Sequence, residues 1–363
     1  MQVSIPEVLK KTPLYEAHLK LNAKMSGFGG WLMPIQYEGI LAEHLYTRQA
    51  VTLFDICHMG EFLLEADPVS SGLDNIVTQN IVDMPLGSCR YGFMLNESAG
   101  VIDDLIVYRI RENYWILVVN AATISGDEDN LRKNLSGSYE FHNVSDALGK
   151  LDLQGPRSQE ILISIFGEKI SNLGYYKFGE FTFQKESCII SRTGYTGEIG
   201  YEIYIKNDFV LDLWERLLKT NVVKPAGLGC RDTLRLEMGY PLYGHELDLN
   251  HSPLAAGLEK FVDFSKDFIG KENLVKEQKS GIKEHLVCFK ADSRRSPRHG
   301  FGVYSQEKLV GRVTSGSFSP SLAVGIGMGY VSGDCSVGDK LVVRDQGVEI
   351  PVTIVGKPFL SKN

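Results

Sequence analysis

The chain has 363 residues, of which 43% are hydrophobic and 23% charged, and a formal net charge of -7. This is the composition of a globular protein with room for two or three domains, and its charge offers no field that would draw in nucleic acid or an anionic membrane surface. No apolar run approaches the roughly 18 residues of a transmembrane helix, and Met1-Gln2-Val3-Ser4-Ile5-Pro6-Glu7 lacks the basic-then-apolar pattern of a signal peptide.

In chain order, Thr12-Pro13-Leu14-Tyr15 leads into a short helical pattern, followed by a loop from Gly27 to Pro34. Ile40, Leu41, Leu45 and Val51 fall near helical spacing in 38–51, which predicts an amphipathic helix with Glu43, Arg48 and Gln49 off its apolar face. From Thr52 to about Tyr139 the pattern becomes strand-rich, with apolar runs at 62–64, 101–108 and 114–119. Asn120-Ala121-Ala122-Thr123 and an acidic helical segment at 127–135 follow, and the whole reads as an α+β unit.

A third region opens at Leu151-Asp152-Leu153-Gln154-Gly155-Pro156, with a turn at Gly155-Pro156 and a helix over 158–165. Strands are predicted at 178–183, 188–192 and 200–205, and helices at 209–219 and 230–238. From about His285 come short strands at 286–290, 302–304, 310–314, 325–331, 340–344 and 349–355. Their regular spacing and turn signals predict a small all-β barrel or sandwich.

The stretch most suggestive of chemistry is Gly100-Val101-Ile102-Asp103-Asp104-Leu105-Ile106-Val107-Tyr108. On a strand, Ile102, Asp104, Ile106 and Tyr108 share one face, and Val101, Asp103, Leu105 and Val107 the other. A carboxylate on an apolar strand needs a partner, because removing it from water is expensive. Either one Asp caps the turn and the other is paired inside the fold, or Asp104 and the Tyr108 phenol face one cleft.

In Arg192–Ile205 two glycines around Tyr195-Thr196 form a tight turn, and Glu202 and Tyr204 share a strand face opposite Tyr201, Ile203 and Ile205. Glu202 fits a planar ligand with two adjacent N–H donors, an internal salt bridge or an exposed sheet face. In Ala226–Gly244, glycines precede a helix bearing Arg231 and Arg235, suited to a ligand carboxylate, a buried acid or a surface ion pair.

The eight histidines show no metal-ligand spacing, so no metal is expected. Phosphate-loop, dinucleotide and nucleophile-elbow patterns are absent too. Cys57, Cys89, Cys188, Cys230, Cys288 and Cys335 form no C-x-x-C pair, which fits reduced thiols and a cytoplasmic location.

Several stretches together resemble the folate-binding T-protein family of the glycine cleavage system, over nearly the whole chain. They are Thr12–Tyr15, Trp31-Leu32-Met33-Pro34, Phe54-Asp55-Ile56-Cys57-His58-Met59-Gly60, Gly100–Tyr108 and Leu153-Gln154-Gly155-Pro156. They continue with Arg192–Glu198, Gly229–Glu237, Leu242-Tyr243-Gly244, Thr314–Leu322 and Gly329-Tyr330-Val331.

The resemblance implies an α+β, three-domain cloverleaf around a central opening that holds tetrahydrofolate, ending in a β-barrel domain. The domains implied are 1–50 with 140–280, 51–139 and 281–363. The implied reaction moves the methylene carbon of an aminomethyl group from the dihydrolipoyl arm of the lipoylated H-protein to tetrahydrofolate. It gives 5,10-methylenetetrahydrofolate, ammonia and the dihydrolipoyl carrier, with no metal. Asp104 is the implied catalytic acid, and Met59, Tyr91, Tyr108, Asn120, Tyr195, Glu202, Arg231 and Tyr240 the implied folate contacts. Some family members carry further aromatic residues at the C-terminus, but Pro358–Asn363 offers none that we assign to the ligand.

Three alternatives keep folate binding. One is a demethylase of a small methylated substrate. Another is a non-catalytic accessory protein of iron–sulfur assembly, whose Lys-Gly-Cys signature does not occur here. The third is the folate-binding half of a flavoprotein dehydrogenase, which calls for an N-terminal flavin-binding region.

Overall fold

Thr52–Asp55, Leu148–Gln154, Glu186–Ser191 and Gly200–Lys206 are short runs rich in β-branched and apolar residues, and they pair into one sheet. Its six strands run in the order Phe178–Phe183, Glu186–Ser191, Gly200–Lys206, Leu148–Gln154, Thr52–Asp55 and Lys224–Pro225. One face carries Leu53, Leu151, Leu153, Ile190, Tyr201, Ile203 and Ile205 into a single core cluster. Against it pack the helices Ser158–Phe166 and Asn207–Leu218. The second helix contributes Val210, Leu213, Trp214 and Leu217, spaced i, i+3, i+4 and i+7, all buried. Truncating Leu213 to Ala there leaves a cavity that costs about 2–5 kcal/mol.

The structure is a computed structural model that describes residues 9–360, so the readings at Met1–Glu7 and at Ser361–Asn363 lie outside the described residues. The chain divides into two compact units. The first holds residues up to 70, 84–90 and 106–231, and the second 71–83, 91–105 and 232 onward. The three-part division expected from the sequence is a different partition, taken up below as a proposal.

Besides the six-stranded sheet, the first unit holds Tyr114–Val119, Gly60–Ala66 and Tyr139–Asn143, antiparallel neighbours in a second sheet. The outer half of Val101–Arg111, from Ile106 on, pairs with Tyr114–Val119. Cys89, Tyr108, Ile116, Val118, Phe178 and Tyr204 form a further core cluster.

In the second unit a closed barrel of six strands runs Glu284–Ala291, Val324–Ser332, Lys308–Ser319, Gly302–Ser305, Lys340–Asp345 and Val348–Val355. Pairing of Cys288 with Val355 closes it. Phe289, Val303, Val313, Val331, Val343 and Ile354 fill its interior. All six predicted C-terminal strands are present, and closure decides for a barrel over a sandwich, removing the free edges.

Two expectations fail. The stretch from Gly27 to Pro34 is not a loop: Lys24–Phe28 and Trp31–Gln36 pair antiparallel. Gly29 and Gly30, with φ of 54° and 82°, make the two-residue turn whose twist suits such a hairpin.

The helix Ile40–Gln49 turns the opposite side inward from the one its apolar spacing suggested. Leu41 and Leu45 are 49% and 36% exposed, while Glu43, His44 and Thr47 are buried. Hydrogen bonding overrides hydropathy here. Glu43 accepts from the backbone N–H groups of Tyr37 (2.6 Å), Gly39 (3.1 Å) and Gly227 (2.9 Å).

The helix Lys271–Ser280 went unread because it buries Leu274 alone among its residues and so shows no apolar period. Among the described residues no helix is long and apolar enough to cross a membrane. All six cysteines are free, and all but Cys335 are buried.

Candidate active site

The face of the six-stranded sheet opposite the apolar core is buried too, and it is polar. Lys150, Asp152 and Gln154 alternate along Leu148–Gln154 and so share this face. Across the strand pair they stand opposite Tyr204, Glu202 and Gly200. Asp152 and Glu202 are therefore directly opposed carboxylates, 0% and 4% exposed, an arrangement that destabilises unless each is compensated.

Compensation comes from different groups. Arg231 Nη1 donates to Asp152 Oδ2, and Gln154 Nε2 to Asp152 Oδ1 at 2.5 Å. Thr193 Oγ1 donates to Glu202 Oε2 at 2.7 Å, and Lys150 Nζ lies 3.6 Å from Glu202 Oε1. Burial, with Glu202 alongside, pushes the Asp152 carboxyl up to about 6 against the pull of Arg231.

Gln154 also fixes the turn that carries Tyr195. Its Nε2 donates to Thr193 O at 3.1 Å, and its Oε1 accepts from Thr196 Oγ1 at 2.6 Å. A Cβ at Gly194 or Gly200 would lie 2.1 or 2.0 Å from the Gln154 side chain, so only glycine lets the amide seat there. The turn thus held places the Tyr195 ring 5.1 Å from the Arg231 guanidinium, a cation–π contact.

From Glu202 a chain of hydroxyls runs inward. Thr193 Oγ1 meets Ser191 Oγ at 2.7 Å, Ser191 meets Tyr108 OH at 3.1 Å, and Tyr108 meets Tyr204 OH at 2.9 Å. Tyr108 is 1% exposed, so its phenol is committed to this chain, and burial pushes the pKa of both Tyr108 and Tyr204 well above the usual phenol value. Lys150 Nζ lies 3.6 Å from Met59 Sδ and 4.9 Å over the Tyr204 ring.

The buried polar atoms of this unit without a hydrogen-bond partner among the described residues include His58 Nδ1 and Glu61 Oε1. Burial, reinforced by Arg231 and Lys150, lowers His58 to about 4, so it is neutral at pH 7. Burial, then Glu202, raises Glu61 to about 8, with Lys150 opposing, so its carboxyl holds a proton at pH 7. The Asn120 carbonyl accepts from the Thr123 backbone and hydroxyl, at 3.2 and 3.0 Å.

Asp104, Tyr91 and Tyr240 belong to the second unit. Burial alternates along the strand as the sequence implied, with Val101, Asp103 and Leu105 buried and Ile102 and Asp104 half-buried. Tyr91 OH donates to Asp104 Oδ2 at 2.9 Å, and its ring packs edge-on against Phe261 and Phe93. The carbonyl of Tyr240 accepts from Arg235 Nη1 at 3.1 Å. Arg235 is buried and engages Glu246 (3.0 Å), Asp232 (2.9 Å) and Ser315 (2.7 Å). The two arginines one turn apart thus serve different carboxylates.

Sequence reasoning missed Lys150, Asp152 and Glu61. The first two had a readable signal: Lys150, Asp152 and Gln154 are polar at every second position of an otherwise apolar run.

Two family models match the chain, the GCVT N-terminal domain over residues 14–266 and the glycine cleavage T-protein C-terminal barrel domain over 285–360. The chain belongs to the glycine cleavage T-protein family. Curated members similar to it include the aminomethyltransferase of Caldanaerobacter subterraneus subsp. tengcongensis, 42% identical over 98% of this chain and 97% of that protein. The aminomethyltransferase of Pseudothermotoga lettingae is 41% identical over 97% and 98%. The crystal structure of glycine cleavage system aminomethyltransferase T from Bartonella henselae superposes with a TM-score of 0.92 at 32% identity, covering 97% of this chain and 98% of that one. As a member of the T-protein family, this chain is an enzyme, an aminomethyltransferase.

Proposed function

We propose that the enzyme transfers the methylene carbon of an aminomethyl group, carried on the dihydrolipoyl arm of H-protein, to tetrahydrofolate. Both the S–C and C–N bonds of the donor break, and the carbon bonds to N5 and N10 of the folate. The two N–H protons released go to the carrier thiol and the departing amine, so the products are 5,10-methylenetetrahydrofolate, dihydrolipoyl H-protein and ammonia. Positioning and proton handling are the protein's share of this chemistry.

The observation that carries the folate reading is Glu202. One carboxylate oxygen is held by Thr193 at 2.7 Å, and the other meets Lys150 at 3.6 Å, beyond hydrogen-bond length. A buried carboxylate oxygen left open in this way suits an N–H donor, and the adjacent 2-amino and N3 groups of a pterin supply two. In this reading Asp104 stabilises the positive charge that develops on the transferred carbon and takes or relays a proton. Met59, Tyr91, Tyr108, Asn120, Tyr195, Arg231 and Tyr240 line the folate. Arg231 reaches it with the charge shared with Asp152, and Tyr108 through its ring, since its hydroxyl is engaged.

We also propose the three-part domain division (1–50 with 140–280, 51–139 and 281–363), the last part resting on the barrel's own core, and a cytoplasmic location. The deciding experiment offers aminomethyl-loaded H-protein to the purified enzyme with and without tetrahydrofolate. Ammonia release that requires both supports the reading. Release without folate, or none with both, overturns it.

A further inference from the structure

Lys150 is among the largest fully buried side chains, 1% exposed in the middle of a sheet. An ammonium there costs free energy unless something is gained by it. It makes no short hydrogen bond to a carboxylate. Its Nζ stands 3.6 Å from Glu202 Oε1, 3.6 Å from Met59 Sδ and 4.9 Å over Tyr204, whose hydroxyl holds Tyr108 at 2.9 Å. One cation thus touches or backs three residues assigned above to the folate.

The charges around it explain why a cation is needed. Asp152 and Glu202 are directly opposed, and Arg231 is engaged by Asp152. Thr193 gives Glu202 a neutral hydrogen bond, which leaves Lys150 as its counter-charge. Glu61, Tyr204, Tyr108 and Cys89 also face Glu202 electrostatically, and each adds to the negative side or is neutral.

We propose that Lys150 is a positioning residue for folate binding: it sets a buried positive charge against the Glu202 carboxylate and, at 3.6 Å, leaves Oε1 without a tight hydrogen bond, ready for the pterin N–H donors. The proposal rests on the folate reading of Glu202. Lys150 acts through Glu202 and does not contact the ligand itself. Without it, two facing buried carboxylates share one guanidinium, itself engaged by Asp152, and Glu202 is left with no facing cation to hold it as a bidentate acceptor.

The test is calorimetric titration of tetrahydrofolate into wild type, Lys150→Met, Lys150→Arg, Glu202→Gln and Glu202→Gln/Lys150→Met, with melting temperatures and steady-state kinetics. Lys150→Met is expected to weaken binding at least tenfold and to raise the KM for folate more than it lowers kcat. Lys150→Arg, which keeps the charge, should stay within about threefold of wild type. In the Glu202→Gln background, Lys150→Met should cost no further affinity. Lys150→Gln replaces Lys150→Met where the latter does not fold. A further loss in the double variant, an equal loss in Lys150→Arg, or wild-type binding by Lys150→Met overturns the proposal. Wild-type binding by Glu202→Gln overturns the folate reading instead.

Discussion

Replacing Asp104 by Asn keeps the shape of the side chain and removes the charge that the Tyr91 hydroxyl meets at 2.9 Å. If Asp104 opposes the developing cation and accepts its proton, either role is worth a factor of about 10²–10⁴ in rate. We expect kcat of Asp104→Asn to fall at least a hundredfold, with the tetrahydrofolate Kd little changed. Tyr91→Phe deletes one hydrogen bond to that charge, about 1.5–3 kcal/mol, so it should cost about ten- to a hundredfold in kcat/KM. Asp103 is the internal control. It is 0% exposed where Asp104 is half-buried, so Asp103→Asn should lower the melting temperature and leave kcat within a few-fold. Ammonia release from aminomethyl-loaded H-protein, measured beside thermal melts, reads both quantities. An active Asp104→Asn enzyme, or a well-folded but inactive Asp103→Asn one, would refute the assignment.

Glu202→Gln should weaken tetrahydrofolate at least tenfold by calorimetry and lower the melting temperature as well, because it strands the buried Lys150 ammonium. Glu61 makes stability depend on pH. Its folded-state value of about 8 lies above the ordinary 4.5, so its contribution is complete below about pH 4.5 and is lost as pH rises through 8. Glu61→Gln removes that loss and should raise stability at pH 9 by on the order of 4 kcal/mol relative to wild type, read from urea melts at pH 6 and 9. Arg294, Arg295 and Arg298 are exposed on the barrel unit. Replacing all three with Ala should raise the KM for H-protein and flatten its salt dependence; unchanged values mean that the cluster takes no part in docking.

The fold was legible wherever one period dominated. The six barrel strands alternate around glycines and turns, and Asn207–Leu218 shows a clean helical stripe, so both were read to within a few residues. The inverted helix Ile40–Gln49 has a different cause: backbone groups needing partners decided its packing, and hydropathy could not show it. Glu43 faces inward because three backbone N–H groups, one of them 184 residues away in sequence, converge on its carboxylate. Nothing in the local pattern of Ile40–Gln49 announces that.

The site divides along the same line. Asp103 and Asp104 could be told apart because a strand has a strict period of two, and the burial of the one and half-burial of the other follow it. Glu202 was recognisable as a carboxylate out of place. Its compensation was not, because the sequence reading offered a salt bridge and a ligand as alternatives. The structure shows a bond to Thr193 at 2.7 Å and a cation at 3.6 Å. The distances matter more than the pairing. A lysine at 2.8 Å would occupy a lone pair of Oε1 and compete with a ligand for it, whereas one at 3.6 Å supplies the field and leaves that oxygen open. The register sets Lys150 opposite Tyr204 instead of Glu202, two pairs along the ladder, so that the ammonium reaches the carboxylate diagonally. Register is a property of two strands some fifty residues apart, so it becomes visible only once the sheet is assembled.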